Sequence, residues 1–379
     1  MPLLKQYFLW LLLVLALPGC VDPFEPDVLD SPPKYLVVNG FINLSGVTTI
    51  RLSRTQSIAG GAAPLVEPKA TVTIVDETGA PYTLTEQTPG TYVSAALNLS
   101  PGRKYQLRLR TAAGREYASA LVAAKVTPPI ESLRWALENG RVQVYVNTRD
   151  ATNSTRYYRW SYAETWQFET PYYSGLEYVG GRVQPRTEDV STCWTTVNSS
   201  SIELSSTARL SQDVVANFPL VLLPGNSVKL RVKYSVLVRQ YAQTPEEYAY
   251  WELLKANTET VGSLFDPVPS QLTGNVRSLT DDTETVIGYV GASTETQKRL
   301  FISSSELPAT VYETGYKCPR PDTVLLGGIN GAFGNGAVVP LFGVYGPPLT
   351  SILVGYATAP ADCADCRRRG TNKRPDFWQ

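Results

Sequence analysis

The sequence predicts a mainly β protein: an N-terminal immunoglobulin- or prealbumin-like β-sandwich, then a larger β-rich domain with one α-helix. Three observations lead there. Short alternating apolar runs recur every 8–12 residues between Lys34 and Lys125, with Gly- and Pro-containing turns between them. The length of 379 residues exceeds what one core normally fills. Only one segment, near 245–259, has helical spacing with a start signal.

Before the first run, residues 1–20 read MPLLKQYFLWLLLVLALPGC, with an apolar stretch from Tyr7 to Leu17. Those 11 residues are too few for a membrane span, which needs about 20. Residues 1–19 therefore read as a signal peptide. Its end, Leu17-Pro18-Gly19-Cys20, resembles a bacterial lipobox, which makes Cys20 the lipidation site. Residues 20–33 carry Asp22, Glu25, Asp27 and Asp30 among prolines and predict an acidic, extended tether to the membrane.

The sandwich is assigned to 34–127. Its runs are 34–42, 47–54, 69–76, 81–87, 90–97, 104–111 and 115–123, and Thr127-Pro128-Pro129 ends the series. The larger domain is assigned to 128–379. In Tyr158-Arg-Trp160-Ser-Tyr162-Ala-Glu164-Thr-Trp166-Gln-Phe168 the even positions form an aromatic row, interrupted by Glu164. A carboxylate in such a row must be paired or hydrogen-bonded. Residues 229–240 alternate similarly, with Leu230, Val232, Tyr234, Val236 and Val238 on one side. Thr244-Pro245-Glu246-Glu247 is a helix start of capping-box type, and Tyr248, Trp251 and Leu254 then form the face expected to pack on the sheet. Runs at 284–293, 298–304, 337–345 and 351–358 predict further strands, and 305–336 reads as loop.

The chemistry is narrowed by what is missing. There is no histidine, which removes the commonest general base, His-paired nucleophiles and His-ligated metals. Lys+Arg and Asp+Glu number 34 each, so no basic excess points to nucleic acid. No Walker, Rossmann, nucleophile-elbow or calcium-loop motif occurs, and neither cofactor, catalytic group nor metal is expected. Besides Cys20 the cysteines are Cys193, Cys318, Cys363 and Cys366, which in an exported chain read as two disulfides with three possible connectivities. A redox pair at Cys363 and Cys366, or a four-cysteine zinc site, are the alternatives. Tyr172, Tyr173 and Tyr178, in a glycine-containing loop, are the ligand-binding candidates, whereas Trp160, Trp166 and Trp251 read as packing residues. Glu164 with Glu169, Glu177, Glu188 or Asp189 is the only glycosidase-like reading. Arg367, Arg368, Arg369, Lys373 and Arg374 form a basic tail, a solvated run or a contact for acidic groups.

The ordered motifs PKYLVVNGFI, ATVTIVDETGAPYTL, GRKYQLRLRTAAGREYAS, TPPIESL, YRWSYAETWQF, YSVLVRQY, EEYAYWELLKANTE, GSLFDPVPSQLTGNV, VIGYVGAS and CADCRRRG resemble the Bacteroidota lipoprotein family catalogued as domain of unknown function 4249. The resemblance implies an outer-membrane, cell-surface lipoprotein serving as a non-enzymatic accessory to a TonB-dependent receptor in nutrient capture or uptake. A stand-alone surface glycan or peptide binder is the alternative, with a glycoside hydrolase using Glu164 behind it.

Overall fold

The computed structural model describes residues 34–56, 65–259, 272, 274–308, 315–346 and 351–379. The signal segment 1–19, Cys20 and the tether 20–33 lie outside the described residues.

The mainly β class is observed. In the first sandwich, period-two alternation puts Leu36, Val38, Ile50, Leu52, Val72, Ile74, Leu107 and Leu109 into one core with Tyr92, Tyr105 and Tyr117. The strand Pro81–Thr88 joins the two layers. Its first half pairs with Thr71–Asp76 and its second half with Thr91–Asn98. The turn at Gly90 needs glycine: its φ is +76°, and a Cβ there would lie 2.8 Å from the Leu52 carbonyl oxygen.

The division at 127/128 does not hold for residues 276–293. Val276–Ser278 pairs with Glu116–Ser119, Val286–Ile287 runs parallel to Leu36–Gly40, and Ala292–Ser293 runs parallel to Ile42–Asn43. Late chain thus completes the first sandwich. These pieces are two or three residues long, too short for periodicity to reveal which sheet they join. Glu284 ties the return down, accepting from the Tyr117 hydroxyl at 2.8 Å and pairing with Arg54 at 3.3 Å and Arg115 at 3.2 Å.

The second sandwich packs a three-stranded sheet, Ile130–Glu138, Arg141–Arg149 and Val214–Pro224, on a five-stranded one. The five-stranded sheet runs Thr192–Asn198, Tyr157–Glu169, Lys233–Ala242, Glu295–Ser303, with Glu203–Ser206 beside Tyr157–Glu169. Asn139 and Gly140, at φ +51° and +72°, make the two-residue hairpin turn of the smaller sheet. Val142, Val144, Val146 and Leu223 meet Tyr158, Trp160, Tyr234, Val236 and Val238 between the layers. The alternation expected over 229–240 holds from Lys233 onward, but Val228–Leu230 is a 3-10 turn, capped by the Ser227 hydroxyl.

The helix is Pro245–Glu259, capped by the Thr244 hydroxyl, which accepts from the Glu247 N–H at 3.2 Å. Its packing face is rotated from the expected one: Glu247 and Tyr250 are its buried residues, while Tyr248, Trp251 and Leu254 are half-buried. The Glu247 carboxylate turns inward and accepts from Gln243 Nε2 at 3.3 Å.

A small C-terminal module follows. It has the sheet Asp322–Leu325, Leu353–Pro360, Val338–Tyr345, and the hairpin Leu176–Val179 with Arg182–Pro185 lies against it. The stretch expected as loop, 305–336, therefore contains a strand and the short helix Ile329–Phe333. Low hydrophobicity and the five glycines between 327 and 336 hid both.

Candidate binding cleft and the buried charges around it

The cysteines form two disulfides, Cys193–Cys366 and Cys318–Cys363. Cys363 and Cys366 are therefore not paired with each other, and none of these four sulfurs is left for zinc. Cys193–Cys366 packs with Phe168 and fastens the C-terminal module to the second sandwich. The basic tail is tied down too. Arg367 pairs with Asp365 at 2.7 Å and Glu188 at 3.0 Å, Arg368 donates to the Gly336 carbonyl at 3.1 Å, and Arg369 donates to the Gly315 carbonyl at 2.6 Å. Trp378 is buried, edge-on to Trp194 and Phe301.

Glu164 is the buried charge expected of it, 8% exposed. One carboxylate oxygen accepts from Lys229 Nζ at 2.8 Å and the other from the Tyr234 hydroxyl at 2.9 Å. Lys229 also lies 5.1 Å from the centre of the Trp166 ring. Both oxygens are thus engaged within the second sandwich. Of the proposed partner acids, Glu177 is held by Arg186 and Gln184, Glu188 by Arg367 and Asn372, and Asp189 by Ser191.

The three candidate tyrosines do not converge. Tyr173 is 71% exposed, while the Tyr172 hydroxyl donates to the Pro319 carbonyl at 2.8 Å. These two line a shallow apolar groove with Leu176, Pro321, Leu341 and Phe342. Tyr178 turns away to the short helix, hydrogen-bonding Asn330 Oδ1 at 2.7 Å and contacting the Phe333 ring. The module leaves Phe342 of the groove 59% exposed, and elsewhere Tyr345 59%, Leu325 64% and Ile352 66%.

A second site was not anticipated. Between the two sandwiches lies a cleft of about 640 Å3, within the range of small-molecule sites. One wall comes from the first sandwich (Asn39, Phe41, Thr49, Arg51), the other from the second (Ser161, Tyr162, Asn198, Ser199, Arg239, Tyr241) and from Trp251 on the helix. Phe41 meets Tyr241 edge-on at 5.0 Å, fixing the two units against each other. Arg159 also lines the cleft. Its guanidinium carbon lies 4.4 Å from the Tyr241 ring centre and 4.5 Å from that of Trp251. Its Nε is buried without an acceptor. Burial pushes the Arg159 pKa down, against the pull of nearby Glu247, Tyr241 and Glu295. Burial likewise pushes the Glu247 carboxyl up, and Arg159 opposes that shift. Trp251 Nε1 lies within electrostatic reach of Glu247 but outside hydrogen-bond geometry. Arg159 sits in the odd row of its strand, on the face opposite the aromatic row, and the covering helix turns that face partly inward. Trp160, stacked on Phe218, is a packing residue as expected, whereas Trp251 forms cleft wall. Among the described residues no cluster of three or more His, Cys, Asp or Glu is placed to hold a metal, and no helix is long and apolar enough to cross a membrane.

Tandem β-sandwiches meeting at a cleft, with a disulfide-fastened C-terminal module, define the class of this molecule. The family model described as domain of unknown function (DUF4249) matches residues 21–299, and the chain belongs to that family. No curated protein matches it. Among solved structures it is similar to a two fibronectin type-III domain segment from chicken tenascin, at 13% identity and a TM-score of 0.16, covering 55% of this chain and 91% of that one.

Proposed function

We propose that this protein is a lipid-anchored, non-enzymatic accessory at the outer-membrane surface that captures a nutrient and works with a TonB-dependent receptor. The observation that carries the reading is the number of large apolar side chains that the stapled module leaves exposed, Tyr173, Leu325, Phe342, Tyr345 and Ile352. Exposed apolar surface of this kind is what a protein partner covers. Two disulfides brace the module that carries these side chains, which lowers the ordering cost of docking. Cys20 anchors the chain by its lipid, and the acidic tether lets the rigid body reach a neighbour. The cleft favours the second reading, a stand-alone glycan or peptide binder, because it can hold a ligand without any partner.

Purification in mild detergent from the native membrane, with mass spectrometry of the co-purifying proteins, separates the two. A receptor recovered in near-equal amount, and lost from a Phe342→Asp, Tyr345→Asp variant that still melts normally, supports the accessory role. Recovery of the protein alone sinks it. The same spectra report the mass of the mature N-terminus, which must carry acyl chains on Cys20 for the anchor to stand.

A further inference from the structure

The inter-sandwich cleft contains an arginine that the fold itself leaves unanswered. Arg159 comes from the central strand Tyr157–Glu169, so its Cα is fixed by pairing on both sides. Two rings hold its guanidinium in place, and the side chain is half-buried with its Nε out of reach of water. Among the described residues no carboxylate lies within ion-pair distance of it and its Nε has no acceptor. An oriented guanidinium with a buried, unpaired Nε leaves a hydrogen-bond donor unused until an acceptor arrives.

The rest of the lining says what kind of acceptor. Arg51 and Arg239 add positive charge, and the one lining acid, Glu295, is already engaged by Arg239 at 3.7 Å and by the Tyr241 hydroxyl at 3.0 Å. Glu247, behind the Trp251 side, is buried among the helix and Gly291, where a Cβ on Gly291 would lie 2.2 Å from its Oε2. The cleft thus favours an anion. Arg239, two positions along the neighbouring strand on the same face, already has Glu295 as its counter-charge, so the charge left free at Arg159 suits a planar monoanion better than a phosphate dianion. The remaining polar groups are the amides of Asn39, Asn43 and Asn198 and the hydroxyls of Thr49, Ser161 and Ser199, a set suited to several hydroxyls on one small body.

We propose that this cleft binds a carboxylate-bearing sugar, a uronic acid or a short acidic oligosaccharide, with Arg159 receiving the carboxylate and the amide and hydroxyl walls receiving the ring hydroxyls. This deepens the capture reading by naming its ligand class, and it does not depend on the receptor.

The test is calorimetric titration of the detergent-purified full chain with galacturonic acid and its di- and trimers, alongside galactose oligomers and galactose 6-phosphate. Tryptophan fluorescence is followed in parallel because Trp251 lines the site. Saturable uronate binding is expected, with the neutral sugars weaker by about tenfold or more. Arg159→Lys keeps the charge but loses the planar fork and should weaken uronate about tenfold or more while melting like the parent. Should that variant fail to fold, Arg51→Glu decides, since Arg51 is exposed on the opposite wall and its reversal should weaken uronate with the core untouched. Equal affinity for neutral sugar, tighter binding of the phosphorylated sugar, unchanged affinity in the folded Arg159→Lys variant, or no saturable uronate binding would each overturn the proposal. Uronate binding without a co-purifying receptor would leave it standing and defeat only the receptor partnership; the reverse pair of results would do the opposite.

Discussion

The strand Tyr157–Glu169 carries Arg159 near its N-terminal end and Glu164 just past its middle, and the fold treats the two in opposite ways. In the C-terminal half Glu164 has both oxygens satisfied, by Lys229 and Tyr234, and Phe168 packs on the Cys193–Cys366 disulfide. At the N-terminal end Arg159 has rings for company but no hydrogen-bond acceptor, and it opens on the cleft. A buried charge that is fully answered within the chain is part of the scaffold. A half-buried one that is held by rings and left without an acceptor breaks that rule, and such breaks gather where a protein meets its ligand. The same strand therefore supplies a fastened end and a receptive end.

The comparison breaks most visibly at the fastened end. Cys193–Cys366 spans 173 residues, so the paired substitution Cys193→Ser, Cys366→Ser should cost about 5 kcal/mol in the chain-entropy account. Urea unfolding of the oxidised proteins checks this, and an unchanged midpoint would mean that the module is held by packing alone. Next in size is Glu164→Gln, which loses the ion pair with Lys229 and weakens the bond from Tyr234. We expect about 1.5–3 kcal/mol of lost stability, nearer the lower figure because Lys229 can turn its ammonium to water. Loss of a binding or chemical activity at unchanged stability would reverse the assignment of Glu164 as scaffold.

The smallest effect is expected at the receptive end. Arg159→Met replaces an unanswered charge by a side chain of similar length, and stability at neutral pH should stay within about 1 kcal/mol of the parent. The variant also removes the positive charge that opposes the upward shift of Glu247, so the folded-state pKa of Glu247 rises further above its unfolded value. A carboxyl raised in this way contributes stability when protonated and loses it as pH rises through the folded pKa. Thermal melts should therefore show the variant gaining on the parent as pH is lowered from neutral toward the carboxylate range. A variant that is crippled at every pH would make Arg159 a scaffold residue like Glu164.

How much of this was legible in the sequence follows from the range of each interaction. The strands of the first sandwich, the helix with its Thr244 cap and the aromatic row around Glu164 rest on patterns within a dozen residues, and one chain displays those directly. The requirement that Glu164 find a partner also follows from chemistry alone, although Lys229 and Tyr234 as those partners lie 65 and 70 residues away. The three tyrosines of the glycine-containing loop were singled out for local irregularity, and the fold sends Tyr178 one way and Tyr172 with Tyr173 another.

What the sequence determined by itself was the alternating strands of the first sandwich, the aromatic row of Tyr157–Glu169, the well-capped helix, the count of cysteines free to pair, and the need for Glu164 to find a partner. Tertiary structure alone decided that residues 276–293 return to close the first sandwich, that Cys193 takes Cys366 while Cys318 takes Cys363, and that the helix covers one face of Tyr157–Glu169. It also decided that Arg159 ends in a cleft. Local patterns depend on neighbouring side chains and are written into the order of residues. Pairing between distant segments depends on which surfaces remain to be covered once the local elements exist, and that is settled only when all of them pack together.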